Sequence, residues 1–330
     1  MTPVDPTPPE RTTARARSIR DDLPWPCIVN LRAGERHPGW FRRRFADSWR
    51  VVVRTWRERP SVRHSMQRWS AFGLACLAAA VLYLGSGTSA GRAAVGASIS
   101  VLWAGFWLFF VTLHLSGLRD SEGHEKDRVG LPNGLTILRI VLIPAVCWAI
   151  LAHPRLKEHA TLTTILIFLV GFSDILDGLL ARWLHWETIL GRNIDHMADV
   201  LICASIALAE YLAGLMPAWL MGLIVFRYLG AGLGGTIAVA LLPDVRISPS
   251  IVGRLCTLTV GATIFFTIAQ PLVAPGRASL MVYLFGLAGA MIVINVAVLI
   301  VMVTRGNALE RLRPTRQGSS PMAPDNGTSE

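Results

Sequence analysis

Charge is scarce in this sequence. Only 16% of its 330 residues are Asp, Glu, Lys or Arg, against 52% hydrophobic, and the mean hydropathy is +0.46. That shortage excludes a charge-rich disordered chain and an ordinary water-soluble domain. Cysteine is also sparse. The five cysteines (Cys27, Cys76, Cys147, Cys203 and Cys256) are scattered, with no C-x-x-C pair and no Cys/His ligand spacing. A disulfide framework and a zinc site are therefore excluded, and the cysteines inside apolar runs read as small buried hydrophobes. No secretory signal peptide is evident, because the first apolar run begins only after a long Arg-rich stretch. An internal repeat of the kind that builds many transporters is absent as well.

What the chain does have is apolar runs long enough to span a bilayer. They predict an all-α, polytopic membrane protein with eight spans, near residues 69–85, 93–115, 135–152, 160–181, 194–215, 218–242, 251–273 and 280–304. The first 68 residues carry fifteen arginines, so the positive-inside rule keeps them cytoplasmic. An even number of spans returns Arg305, Arg311, Arg313 and Arg316 to the same side. The loop 181–193 comes out cytoplasmic too, in the inner membrane of the cell. The basic excess, 32 Lys and Arg against 22 Asp and Glu, suits an anionic lipid surface better than nucleic acid, because it collects in the tails.

Four regions follow. Residues 1–68 form a basic tail, Pro/Thr-rich and disordered to about residue 22, with 39–68 mixing aromatics and arginine as an amphipathic helix on the inner membrane face. Residues 69–118 hold two Ala/Gly-rich packing helices without catalytic-looking side chains. A charged linker opens the core at 119–304, and 305–330 is a second basic tail.

The core holds carboxylates where apolar helices do not tolerate them without a reason. Asp174 and Asp177 are three apart, Asp195 and Asp199 four apart, so each pair shares a helix face. Arg182 and Arg192 are the only local basic partners in sequence, too few for a set of structural ion pairs. Four converging Asp oxygens suit hard divalent cations, Mg²⁺ or Mn²⁺, and two such ions suit phosphoryl chemistry. A cation-coupled transporter is the non-enzymatic alternative. It predicts acids spread over several helices, whereas these cluster across one helix–loop–helix, with Glu210 the main outlier. Arg227, alone in an apolar span, is functional or paired by default. Upstream, Pro132 and Asn133 suit a helix start, with Thr136 and Arg139 three apart on one face, in reach of phosphate oxygens.

The residues Asp174, Asp177, Gly178, Ala181, Arg182, Gly191, Asp195 and Asp199 match D-x-x-D-G-x-x-A-R-x₈-G-x-x-x-D-x-x-x-D at every fixed position. That pattern resembles the signature of the CDP-alcohol phosphatidyltransferase family. The resemblance covers about 129–304 and implies a six-helix core, preceded here by two further transmembrane helices. It implies transfer of a phosphatidyl group from CDP-diacylglycerol to an alcohol, with release of CMP. In those roles Asp174, Asp177, Asp195 and Asp199 hold two divalent metal ions, and Asp199 also serves as general base. The stretch Pro132-Asn133…Thr136…Arg139 resembles the family's first core helix, so Asn133, Thr136 and Arg139 join Gly178, Ala181, Arg182 and Gly191 on the CDP-lipid. Gly178 and Ala181 keep room for cytidine, and Gly191 lets the chain turn and approach the nucleotide closely.

The stretch Ser250-Ile-Val-Gly253-Arg254-Leu-Cys256-Thr257 resembles the family's Gly-Lys-x-Lys-Thr, with Cys256 at the second Lys position. Arg227, Ser250 and Arg254 then bind the acceptor, which favours glycerol 3-phosphate. Phosphatidylglycerol, as in a cardiolipin-type synthase, is the alternative, followed by serine or inositol. Asp195-His196-Met197-Ala198-Asp199-Val200 departs from the Asp-Pro-x-Ala-Asp-Lys usual in glycerophosphate enzymes, and Tyr228 follows Arg227 where an acidic residue is typical. A homodimer is typical of the family.

Overall fold

The computed structural model describes residues 40–120, 122–152, 160–230, 251–273 and 278–311. Helix α1 spans Trp40–Glu58, α2 Pro60–Ser86 and α3 Ala90–Leu113, followed by a 3₁₀ turn at Leu115–Gly117. Then come α4 (Leu131–Ala152), α5 (Ala160–Trp183), α6 (Ile189–Leu212) and α7 (Ala218–Val225), which continues as a π-helical turn, Phe226–Gly230. Helices α8 (Ile251–Val273) and α9 (Ala278–Arg311) complete the bundle. No strand occurs among the described residues.

Among the described residues, six helices are long and apolar enough to cross a bilayer: α2, α3, α4, α5, α8 and α9. Sequence patterning predicts eight spans. The other two fall at α6, whose Arg192, Asp195, Asp199 and Glu210 dilute its apolar character, and at α7, where residues 231–242 of the expected span lie outside the described residues. The expected disorder up to residue 22 and the tail beyond Arg311 lie outside them too. Helix α9 runs past 304, the expected core boundary, to Arg311.

The expected amphipathic helix over 39–68 is instead two helices. Pro60 takes the first position of α2 and keeps Arg59 out of the helical conformation (φ −125°, ψ 75°), because the residue before proline is disfavoured in the α region. The corner is tied to the linker. Arg59 donates to the Lys126 carbonyl and pairs with Glu125 at 3.2 Å, and the Val129 N–H donates to Ser65 Oγ at 2.9 Å.

Helix α4 is the central element: 61% of its span is buried, against 17–33% in the other five. One apolar cluster joins α2, α3, the first half of α4 and the start of α6 through Met66, Val111, Ile137, Val141 and Ile194. A second joins the end of α4 to α5, the rest of α6, α7, α8 and α9 through Ile150, Ile206, Leu220, Ile264 and Ile292. Leu82, Leu102, Phe106, Phe168 and Tyr283 point outward, the arrangement of a bundle solvated by lipid. Two contacts fix α4 against its neighbours. Pro144 has no N–H for the Ile140 carbonyl, and the Trp103 indole of α3 donates to it instead at 2.8 Å. Gly134 receives the Trp69 ring of α2 so closely that a Cβ there would lie 2.0 Å from it. The four described cysteines are all free thiols, Cys256 buried and the rest half-buried.

Candidate active site

Three helix ends meet at one end of the bundle. Helix α4 brings Asn133, Thr136 and Arg139 on one face of its first turns. Helix α5 brings Asp174, Asp177, Gly178, Ala181 and Arg182 on its last turns, and α6 brings Gly191, Asp195 and Asp199 on its first. The chain reverses between α5 and α6 through His185, in the left-handed region at φ 51°. Thr188 then caps α6, its side chain accepting the Gly191 N–H at 2.9 Å.

All four aspartates face a single guanidinium. Arg139 donates to Asp174 Oδ1 and, at 2.6 Å, to Asp195 Oδ1. Asp177 Oδ2 lies 3.6 Å and Asp199 Oδ1 3.8 Å from its Nη2. The Arg139 side chain is 1% exposed and Asp177 5%, whereas Asp174, Asp195 and Asp199 stay 41–43% exposed. Thr136 Oγ1 donates to Asp177 Oδ2 at 3.0 Å and orients the buried carboxylate. Arg139 therefore occupies the middle of the acid cluster, turned to carboxylates rather than to an open phosphate site.

Beside the carboxylates lies a cleft of about 200 Å³, lined by Thr136, Asp177, Gly178, Ala181, Arg182 and Gly191 among others. Gly178 faces open space, with nothing within 4 Å of where a Cβ would stand. Gly191 has a different reason to be glycine than the expected turn. It lies inside the first turn of α6, and a Cβ there would come within 2.3 Å of Asn133 Oδ1. Asn133 in turn donates to Thr188 Oγ1 at 3.0 Å, so α4 is keyed to the α6 cap through this gap.

The donor set fits divalent metal ions. Oxygens of Asp174, Asp177 and Asp195 lie within 4.8 Å of one another, and all are hard anionic ligands. Four carboxylates outnumber the one guanidinium among them, an excess of negative charge in a half-buried site that suits divalent cations.

The family model for CDP-alcohol phosphatidyltransferase matches residues 129–308, more than half of the chain. The chain belongs to the CDP-alcohol phosphatidyltransferase family. It is 36% identical over 118 residues to a Drosophila melanogaster protein named "Probable cardiolipin synthase (CMP-forming)", covering 34% of this chain and 35% of that one. It is 34% identical over 105 residues to the chloroplastic CDP-diacylglycerol–glycerol-3-phosphate 3-phosphatidyltransferase 1 of Oryza sativa subsp. japonica, covering 32% of this chain and 30% of that one. It is 27% identical over 145 residues to the cardiolipin synthase (CMP-forming) of Homo sapiens, covering 43% and 44%. The chain thus spans less than half the length of each of these relatives. Helices α1 to α3 precede the residues that the family model matches.

Within this family member, the residues expected at the acceptor are less tightly gathered. Arg227 sits in the π-helical turn after α7 and reaches α8, donating to Thr257 Oγ1 at 2.8 Å and the Gly253 carbonyl at 3.3 Å. Its guanidinium also lies 4.6 Å from the Tyr228 ring centroid. Arg254 is exposed on the first turn of α8, and Ser250 lies outside the described residues. Two site residues escaped the sequence reading. Thr188 carried a legible signal, a threonine immediately before an apolar helical pattern. Trp186, which lines the cleft and packs over Gly130, carried none.

Proposed function

We propose that this protein transfers a phosphatidyl group from CDP-diacylglycerol to an alcohol acceptor in the membrane and releases CMP, as a step of phospholipid biosynthesis. The observation that carries this reading is the convergence of Asp174, Asp177, Asp195 and Asp199 around Arg139, with Asp177 and Asp195 also lining the adjacent cleft beside the small residues Gly178, Ala181 and Gly191. Asp174, Asp177 and Asp195, with Asp199, would hold two divalent ions, Mg²⁺ or Mn²⁺; when bound, these neutralise the diphosphate and the departing CMP.

The protein's own side chains account for the rest. Gly178 and Ala181 leave room for the cytidine and ribose, and Arg182 lines the same cleft with a fork suited to phosphate. Thr136 holds Asp177, and Asn133 holds the α6 cap. Asp199, one turn beyond Asp195 and half exposed, takes the acceptor's hydroxyl proton. The acceptor oxygen then forms the new P–O bond as the bond to CMP breaks, and CMP leaves with that electron pair.

Glycerol 3-phosphate is the acceptor we favour, because Arg227 and Arg254 stand on neighbouring elements with no carboxylate partner among the described residues. The names of the Drosophila and human relatives support a second reading, phosphatidylglycerol as acceptor. The cytoplasmic side of the inner membrane is the expected location, by the arginine bias of the first 68 residues. The test is CMP release by purified protein in detergent, with CDP-diacylglycerol, Mg²⁺ or Mn²⁺, and single acceptors. Acceptor-dependent release that EDTA abolishes supports the reading and names the alcohol. No release with any acceptor, from protein that binds neither CDP-diacylglycerol nor metal, overturns it.

A further inference from the structure

Outside the residues of the family match, α1, α2 and α3 enclose an apolar groove of about 650 Å³. Trp49 and Trp56 of α1, Met66 and Leu74 of α2, and Phe109 of α3 form its walls. Two cations stand at one end only. Arg57 lies in the last turn of α1 and Arg63 in the first turn of α2, on either side of the Pro60 corner, and both line the groove. Neither has an ion-pair partner among the described residues. From Arg63 to Leu74 the groove follows α2 for about 16 Å.

We propose that this groove is a binding site for one anionic phospholipid, separate from the carboxylate cleft. Its phosphate pairs with Arg57 and Arg63, and one acyl chain lies along α2 between Trp56 and Leu74. The charge distribution selects this occupant. A second protein helix has no use for two unpaired guanidiniums at one end, and a free phosphate has no use for a long wall of tryptophan, leucine and methionine. Forked cations suit phosphate oxygens, and tryptophans suit the interfacial zone where a headgroup meets its chains.

The groove also lies at the same end of the bundle as the aspartates. Ser65 and Arg59 are bonded to the linker that leads into α4, and Trp69 is pressed on Gly134 one position after Asn133. A lipid seated there braces the corner on which the start of α4 rests.

The test is native mass spectrometry of the full chain, released from detergent in EDTA with equal amounts of phosphatidic acid and phosphatidylcholine. Phosphatidic acid carries no free alcohol and cannot act as an acceptor. Wild type is expected to retain one phosphatidic acid with a preference of about tenfold over phosphatidylcholine. Arg57→Gln with Arg63→Gln should erase that preference. Leu74→Trp, which fills the groove and leaves the charges alone, should reduce retention of the lipid. Equal retention of the two lipids by wild type would overturn the proposal, as would an unchanged preference in the double arginine variant or full retention in Leu74→Trp. Displacement of phosphatidic acid by millimolar inorganic phosphate would overturn the lipid assignment.

Discussion

Two arginines in apolar helices of this protein are held in opposite ways. Arg139 is sealed among four carboxylates, its side chain 1% exposed. Arg227 is held by a hydroxyl, a carbonyl and an aromatic ring, all neutral. The first is already compensated, and over-compensated, by the acids it organises. The second is oriented without a carboxylate partner among the described residues, which on the proposed function leaves its charge for an incoming anion. An intramembrane arginine therefore has no single meaning. Its partners decide whether it holds a site together or receives a ligand.

The largest effect that can break this contrast is at the acids themselves. Asp199→Asn should lower turnover about 10³-fold, with CDP-diacylglycerol binding retained, as measured by CMP release beside a binding assay. Near-normal turnover would remove Asp199 from the proton transfer. Next is Arg139→Met, which leaves four carboxylates without their internal cation. Breaking such a buried set costs about 3–5 kcal/mol, so Tm in EDTA should fall by several degrees, and added Mg²⁺ should restore most of the loss. If metal does not narrow the gap between variant and wild type, Arg139 does more than hold the acids apart.

Arg227→Ala tests the other side. The KM for glycerol 3-phosphate should rise about tenfold or more, with the KM for CDP-diacylglycerol unchanged, since one charge-assisted contact is removed. A neutral or lipid acceptor in the same assay should show little change. The smallest effect belongs to Gly178→Ala. Nothing within 4 Å meets the added methyl and alanine is the better helix former, so Tm should hold or rise slightly, and only the donor KM should rise if cytidine presses on that helix face. A rise in acceptor KM alone would put the acceptor, not the nucleotide, against α5.

Much of this site is legible in the sequence because its chemistry is local. Asp174 and Asp177, Asp195 and Asp199, and Thr136 and Arg139 each share a face by helical spacing alone, and each pair does so in the structure. The apolar runs likewise appear as helices, because backbone groups in lipid have no other partner than their own helix. What spacing does not carry is contact across elements. Arg139 reads from sequence as a phosphate ligand, since the acids that surround it are 35 to 60 residues away. Gly191 reads as a turn, whereas its missing side chain makes room for Asn133. Pro144 lacks an N–H for the Ile140 carbonyl, and nothing near it in sequence announces that Trp103 supplies the missing donor. Glu210 is the residue for which neither view gives a role: it is fully buried, with both carboxylate oxygens unpartnered among the described residues.

By itself, then, the sequence determined that this is a helical membrane protein with clustered acids suited to divalent metal, because hydropathy and helical periodicity act within a few turns of chain. The tertiary structure alone decided that one arginine would sit at the centre of those acids, that α4 would be the buried axis, and that α1 to α3 would close an apolar groove with two cations at its mouth. Those outcomes depend on which helices touch, and packing between helices is set by side-chain shapes far apart in sequence.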